Sequence, residues 1–305
     1  MAHAHHHDHD HGAQRSRHAG RAFAVGIALN LGFVLVEAVY GVLAHSMALL
    51  ADAGHNLSDV LALTLAWGAS ALSRRGPSER FTYGLRGSSI LAALLNAALL
   101  FVVTGGIAWE AINRLGTPSP VAGQTVIWVA LVGILVNGAS AMLFARDRRR
   151  DVNMRGAFLH LAADAAVSLG VVVAGVGIIF TGWLWLDPLT GLLIAVAIVW
   201  STWGLLRDSV ALALNAVPEH IDPRVVRTYL SRLAGVTEVH DLHIWAMSTT
   251  ETALTVHLVI PGGHPGDAFL AGVCKELRAR YHVHHATIQI EIGAQPCELA
   301  PDHVV

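Results

Sequence analysis

The chain has 305 residues, 54% hydrophobic and only 14% charged, with a mean hydropathy of +0.52. A soluble protein is about 25% charged, so this composition excludes a plain water-soluble enzyme and indicates a membrane protein. The 20 Lys+Arg against 22 Asp+Glu leave no basic excess for nucleic acid, while the 19 histidines titrate near neutral pH.

Residues 1–19 are a polar arm in which His3, His5, His6, His7, His9 and His11 alternate with Asp8 and Asp10. No secretory signal is expected there. Such a tract reads as metal-binding, with His5, His7 and His9 as accessory ligands, or as a passive arm or tag. The interleaved aspartates argue mildly against a tag.

A membrane-spanning helix needs about 20 mostly apolar residues. Six segments qualify within a domain of residues 20–215: about Ala22 to Leu43, Ser46 to Leu72, Gly87 to Trp109, Val121 to Ala145, Asn153 to Thr181 and Pro188 to Leu206. Arginines in the arm, the second-to-third loop and the fourth-to-fifth loop number 12, against Arg114 alone on the other side. The positive-inside rule then places both termini in the cytoplasm. Trp183 and Trp185 read as an interface anchor.

Charged groups inside spans are costly and usually functional. The second segment carries His55-x-x-x-Asp59 and the fifth carries His160-x-x-x-Asp164. Residues four apart share one helix face. At 1.5 Å per residue, both pairs fall in the central zone of a core about 30 Å thick. Two nitrogens and two oxygens suit Zn²⁺, and the two carboxylates neutralise it. The alternative is a pair of interhelical hydrogen bonds. Asp52 is either a mouth residue that attracts cations or a carboxylate favoured by a helix N-terminus. Glu37 is a proton-handling acid or an interhelical partner, with the structural role favoured. Asn30 and Asn96 read as structural.

Residues 216–293 form a small soluble domain, followed by a tail of residues 294–305. Asp222 caps a helix that runs to about Leu233, with Pro223 in its first turn. Val236 to Met247 and Thr252 to Ile260 alternate like strands, Gly266 to Tyr281 is helical, and Ala286 to Ile292 is a third strand. The order is αββαβ. Cys274 and Cys297 form no C-x-x-C pair and read as unpaired thiols.

Ser46-Met-Ala-Leu-Leu-Ala-Asp-Ala-Gly-His-Asn-Leu-Ser-Asp59 resembles the second-helix signature of the cation diffusion facilitator family of metal/proton antiporters. Phe81-Thr-Tyr-Gly84, Asp187-Pro-Leu-Thr190 and Val239-His-Asp-Leu-His-Ile-Trp245 resemble it as well. The resemblance implies six transmembrane helices, a cytoplasmic ferredoxin-like domain, a homodimer in the inner membrane lipid bilayer, and export of Zn²⁺ in exchange for H⁺. It carries the transport ligands onto His55, Asp59, His160 and Asp164. It also makes His240, His257 and Glu291 a plausible second metal site, with solvated strand positions as the alternative. Strict alternation would point His243 away from His240. An ion pair between Arg86 and Asp208 is suggested by the family's charge interlock, and two independent solvated charges are the alternative. Residues 73–87 contain no histidine, so a further metal site that some members hold there is expected to be absent. A membrane-anchored metal sensor and an intramembrane metalloenzyme are the competing readings; the second lacks the His-Glu-x-x-His motif it would need.

Overall fold

A computed structural model describes residues 31–145, 152–293 and 295–301. His5, His7, His9 and Asn30 lie outside the described residues, as do Arg146 and Arg148 to Arg150. The chain divides into two compact units, residues up to 64 with 98–203, and residues 65–97 with 204–305.

The first unit is helical. Its helices are α1 (Leu31–Leu43, as far as described), α2 (Met47–Ser73), α3 (Ser88–Gly116), α4 (Gly123–Phe144), α5 (Val152–Thr181) and α6 (Leu186–Ala213). The far ends of α2, α3 and α6 belong to the second unit. Four of these helices, α3 to α6, are long and apolar enough to cross a membrane. Helix α2 has 27 residues, but Asp52, His55, Asn56 and Asp59 lower its apolarity. Helix α3 continues beyond the expected Trp109, because Glu110 and Arg114 form an i,i+4 ion pair at 2.8 Å that supports another turn. Large apolar side chains such as Phe180, Trp200 and Val102 face outward at 84%, 86% and 73% exposure. That is the surface of a protein whose solvent is lipid.

Small residues bring the helices together, as in other membrane bundles. A Cβ on Gly191 would lie 2.8 Å from the Met47 carbonyl oxygen, so α6 approaches the start of α2 closely. One turn earlier, the Asp187 carboxylate accepts from the Ser46 hydroxyl and from the Met47 N–H at 2.6 Å. It thereby satisfies free donors at the α2 N-terminus. A Cβ on Gly133 of α4 would meet the Phe33 ring at 2.7 Å and the Ser168 hydroxyl at 3.0 Å. These contacts fix the depth of α2 and α5 within the bundle. Phe33, Leu49, Leu100, Val126, Val171 and Ile194 form its apolar core.

The second unit holds a small α/β sheet domain. Its elements run α7 (Pro223–Ser231), β1 (Glu238–Ala246), β2 (Thr252–Val259), α8 (Asp267–Tyr281) and β3 (Val283–Glu291). The Asp222 side chain accepts from the Arg224 N–H at 2.9 Å and starts α7 as expected. Strand β1 pairs antiparallel with β2, and β2 pairs parallel with β3 across the α8 connection. Val226, Leu230, Leu254, Val256, Leu258, Val273 and Leu277 make its core. Strand β3 starts three residues before the expected Ala286.

One extra residue sits in β1. His240 pairs with His257, yet His243 pairs with Thr255, a bulge between them. Asp241 takes the left-handed conformation there (φ 49°), which Asp tolerates better than most residues. Strict alternation fails at that point. His243 returns to the face that carries His240 and His257, which corrects the expectation that it points elsewhere.

Candidate metal centres

The first cluster lies within the helical unit, on α2 and α5. His55 Nε2 is 3.3 Å from Asp164 Oδ1, and His160 Nε2 is 3.2 Å from Asp59 Oδ2. Each imidazole thus meets the carboxylate of the opposite helix. His160 Nε2 is also 3.7 Å from Asp164 Oδ2, and the two imidazole rings meet edge to face at 6.0 Å. Ligand atoms of His55, Asp59 and Asp164 all lie within 4.8 Å of one another. A tetrahedral Zn²⁺ with ligands at 2.0–2.3 Å would hold neighbouring donors about 3.3–3.8 Å apart. The three His–Asp contacts, at 3.2–3.7 Å, are close to that, whereas His160 falls outside the group of three.

The cluster is more exposed at one end than at the other. Asp164 is 1% exposed and His55 21%, whereas Asp59 is 31% and His160 47% exposed. The open members are those nearer the C-terminal end of α2 and the N-terminal end of α5.

Behind Asp164 lies a layer of buried polar groups. Asn56 donates to Glu37 Oε2 at 3.2 Å, and Ser168 donates to Asp52 Oδ2 at 2.9 Å. Glu37, Asp52 and Asn56 are fully buried. Asp52 is therefore not at a mouth, which corrects one expectation. It stands beyond the first turn of α2, so dipole stabilisation at the N-terminus does not account for it either. Its bond to Ser168 joins α2 to α5, and the Glu37–Asn56 bond joins α1 to α2. Neither carboxylate belongs to the ligand group. Asn96 is buried at 7% exposure.

The second cluster lies on the sheet of the α/β domain. His240 Nε2 is 3.2 Å from Glu291 Oε2, and His257 Nδ1 is 3.0 Å from Glu291 Oε1. The two rings meet edge to face at 5.3 Å. Asp241, turned by the bulge, reaches His257 Nε2 at 3.3 Å and His243 Nε2 at 2.8 Å. Burial pushes the Glu291 carboxyl up. The Cys297 thiol, the Gln289 amide and both imidazoles outweigh it and hold the group below the usual glutamate range.

The family profile of the cation efflux transmembrane domain matches residues 23–212, and that of the cation efflux cytoplasmic domain matches residues 218–292. The zinc transporter ZitB of Escherichia coli is 39% identical over 276 residues, covering 90% of this chain and 87% of that protein. The metal cation efflux system protein CzcD of Cupriavidus metallidurans is 35% identical over 281 residues, 92% of this chain and 88% of that protein. A cadmium, cobalt and zinc/H(+)-K(+) antiporter of Bacillus subtilis is 34% identical over 268 residues, 86% of each chain. The chain belongs to the cation diffusion facilitator family.

Membership makes this a multi-pass membrane transporter and not an enzyme. It also sharpens what the sequence missed. Cys297 joins His240, His257 and Glu291 in one group whose ligand atoms lie within 4.8 Å. It stands beyond the matched residues 218–292 of the facilitator cytoplasmic domain. No spacing signal marks it, because a tail turn and not a strand brings it back. Nor does the interlock of Arg86 with Asp208 form. Arg86 donates to Glu251, and Asp208 accepts from its neighbour Arg207 at 3.1 Å. The Thr249 N–H also donates to the Ser89 hydroxyl at 3.1 Å. Together these contacts direct Arg86 to the β1–β2 turn.

Proposed function

We propose that this protein exports cytoplasmic Zn²⁺ in exchange for external H⁺ by alternating access, with His55, Asp59, His160 and Asp164 as its transport site. The crossed His/Asp pairing of α2 and α5 carries this reading. Each helix contributes one imidazole and one carboxylate, and the three His–Asp contacts of 3.2–3.7 Å support a shared metal position. Relatives named as zinc and cadmium, cobalt and zinc transporters support it.

Metal ligands must be deprotonated, so zinc binding releases protons. With both imidazoles protonated, the four side chains sum to zero charge. With two protons gone and one Zn²⁺ bound, they again sum to zero. A two-for-one exchange therefore leaves a low-dielectric site electrically unchanged. External protons returning to the imidazoles would then displace the metal. The greater exposure of His160 and Asp59 fits loading from the side where α2 ends and α5 begins.

In this reading six helices cross the inner membrane, both termini are cytoplasmic, and the αββαβ domain is ferredoxin-like and joins two copies into a homodimer. His240, His257 and Glu291 hold a second, regulatory zinc. The His-rich arm supplies metal to the cytoplasmic side.

The test is zinc flux into reconstituted vesicles under a pH gradient. Asp59→Ala should reduce the flux by about a hundredfold or more, since it removes a ligand and half the compensating charge. Undiminished flux in a folded Asp59→Ala protein would sink the site assignment. Flux indifferent to the gradient would sink the exchange.

A further inference from the structure

We propose that Cys297 is the fourth ligand of the cytoplasmic metal site, so that a thiolate clasps the C-terminal tail onto the sheet when Zn²⁺ or a softer divalent ion binds. The inference rests on the reading of His240, His257 and Glu291 as metal ligands and adds the residue that closes their site.

The geometry is particular. Cys297 Sγ is 3.7 Å from His257 Nδ1, the same nitrogen that Glu291 Oε1 approaches at 3.0 Å. A sulfur, a carboxylate oxygen and an imidazole nitrogen thus face one point. The His240 ring is 4% exposed; its Nε2 lies 3.2 Å from Glu291 and its Nδ1 3.3 Å from Glu238, yet neither nitrogen has hydrogen-bond geometry. A buried imidazole whose nitrogens make no hydrogen bond is costly, and a metal beside Glu291 would satisfy one of them. A turn closed by the Ala300 N–H on the Cys297 carbonyl at 3.2 Å holds the thiol in place. The four donors lie within 4.8 Å of one another, so small movements bring them to tetrahedral distances.

Asp241 supports the set from outside. Its carboxylate meets His257 Nε2 at 3.3 Å, on the ring edge away from the metal position. Outer carboxylates of this kind fix the tautomer of a ligating histidine. The β1 bulge is what turns Asp241 to that place.

Four protein ligands with no open position make a closed site, the type that holds metal for structure and not for turnover. The thiolate also sets its preference apart from that of the helical cluster, which has none. Softer ions favour sulfur, so Cd²⁺ should compete better here than at His55, Asp59, His160 and Asp164.

The experiment uses the full-length protein in detergent with Co²⁺ as probe, because a thiolate bound to cobalt adds a charge-transfer absorption that nitrogen and oxygen ligands do not. Cys274, on α8 and outside the cluster, is the internal control. The band should appear, persist in Cys274→Ser and vanish in Cys297→Ser and Cys297→Ala. Zinc should slow alkylation of Cys297 by iodoacetamide by about tenfold or more, since the bound thiolate is no longer a free nucleophile, and leave Cys274 unaffected. A metal lost in His240→Ala, without a thiolate band or protection of Cys297, would overturn the role of the thiol and keep the three-residue site. Metal content and spectra indifferent to both His240→Ala and Cys297→Ser would overturn both.

Discussion

The helical cluster and the sheet cluster share most of their chemistry, two imidazoles with carboxylate partners, and differ in how the chain delivers it. In the helical cluster two rigid helices each supply a histidine and an aspartate four residues apart, and the pairs cross from one helix to the other. In the sheet cluster the donors come from three strands and a tail turn. The first has no sulfur and is more exposed at one end. The second has a thiol and a nearly buried His240. A site that must release its ion benefits from access and moderate ligands, whereas a site that fastens a segment benefits from closure.

The largest expected effect would separate the two clusters. Asp164→Ala removes the most buried ligand of the helical cluster and a carboxylate shared by both of its imidazoles. It should reduce zinc flux by about a hundredfold or more and leave the cobalt–thiolate band of the sheet cluster intact. Loss of that band in a folded Asp164→Ala protein would mean that the clusters are one coupled system.

A smaller change would sharpen the comparison by altering ligand hardness without removing a ligand. His55→Asp replaces a borderline nitrogen with a hard oxygen. Harder ions prefer oxygen donors, so the ratio of Mn²⁺ to Zn²⁺ transport should rise by about tenfold, corresponding to about 1.4 kcal/mol. Competition between the two ions in vesicles measures it. An unchanged ratio would show that geometry alone, and not donor identity, sets the preference.

The same contrast explains which parts were legible in the sequence. Helical periodicity turns His55 with Asp59, and His160 with Asp164, into shared faces by spacing alone. The elements of the α/β domain followed from alternation and from the Asp222–Pro223 start of α7. The bulge at Asp241 was not legible, because one added residue leaves the apolar pattern of β1 nearly intact. Cys297 was not legible, because a turn outside the periodic elements carries it. Asp52 was misplaced for another reason. Sequence gives its distance along α2 but not its angle toward Ser168, which depends on how α2 and α5 pack.

The smallest expected effect concerns Arg86, for which the family resemblance suggested Asp208 as partner and which in the structure donates to Glu251. Both members of the pair are partly open to solvent, at 39% and 33% exposure. Water screens such a pair, and ordering two long side chains offsets part of its attraction, so its coupling should be at most about 1 kcal/mol. A double-mutant cycle of Arg86→Gln and Glu251→Gln, read by thermal unfolding, measures that coupling. Arg86→Gln combined with Asp208→Asn should show none, because Asp208 is held by Arg207. Coupling of Arg86 to Asp208 that exceeds its coupling to Glu251 would restore the interlock and mean that the β1–β2 turn is not its anchor. Coupling to Glu251 alone would leave Arg86 as a register pin between the α3 entry and that turn, where specificity matters more than stability.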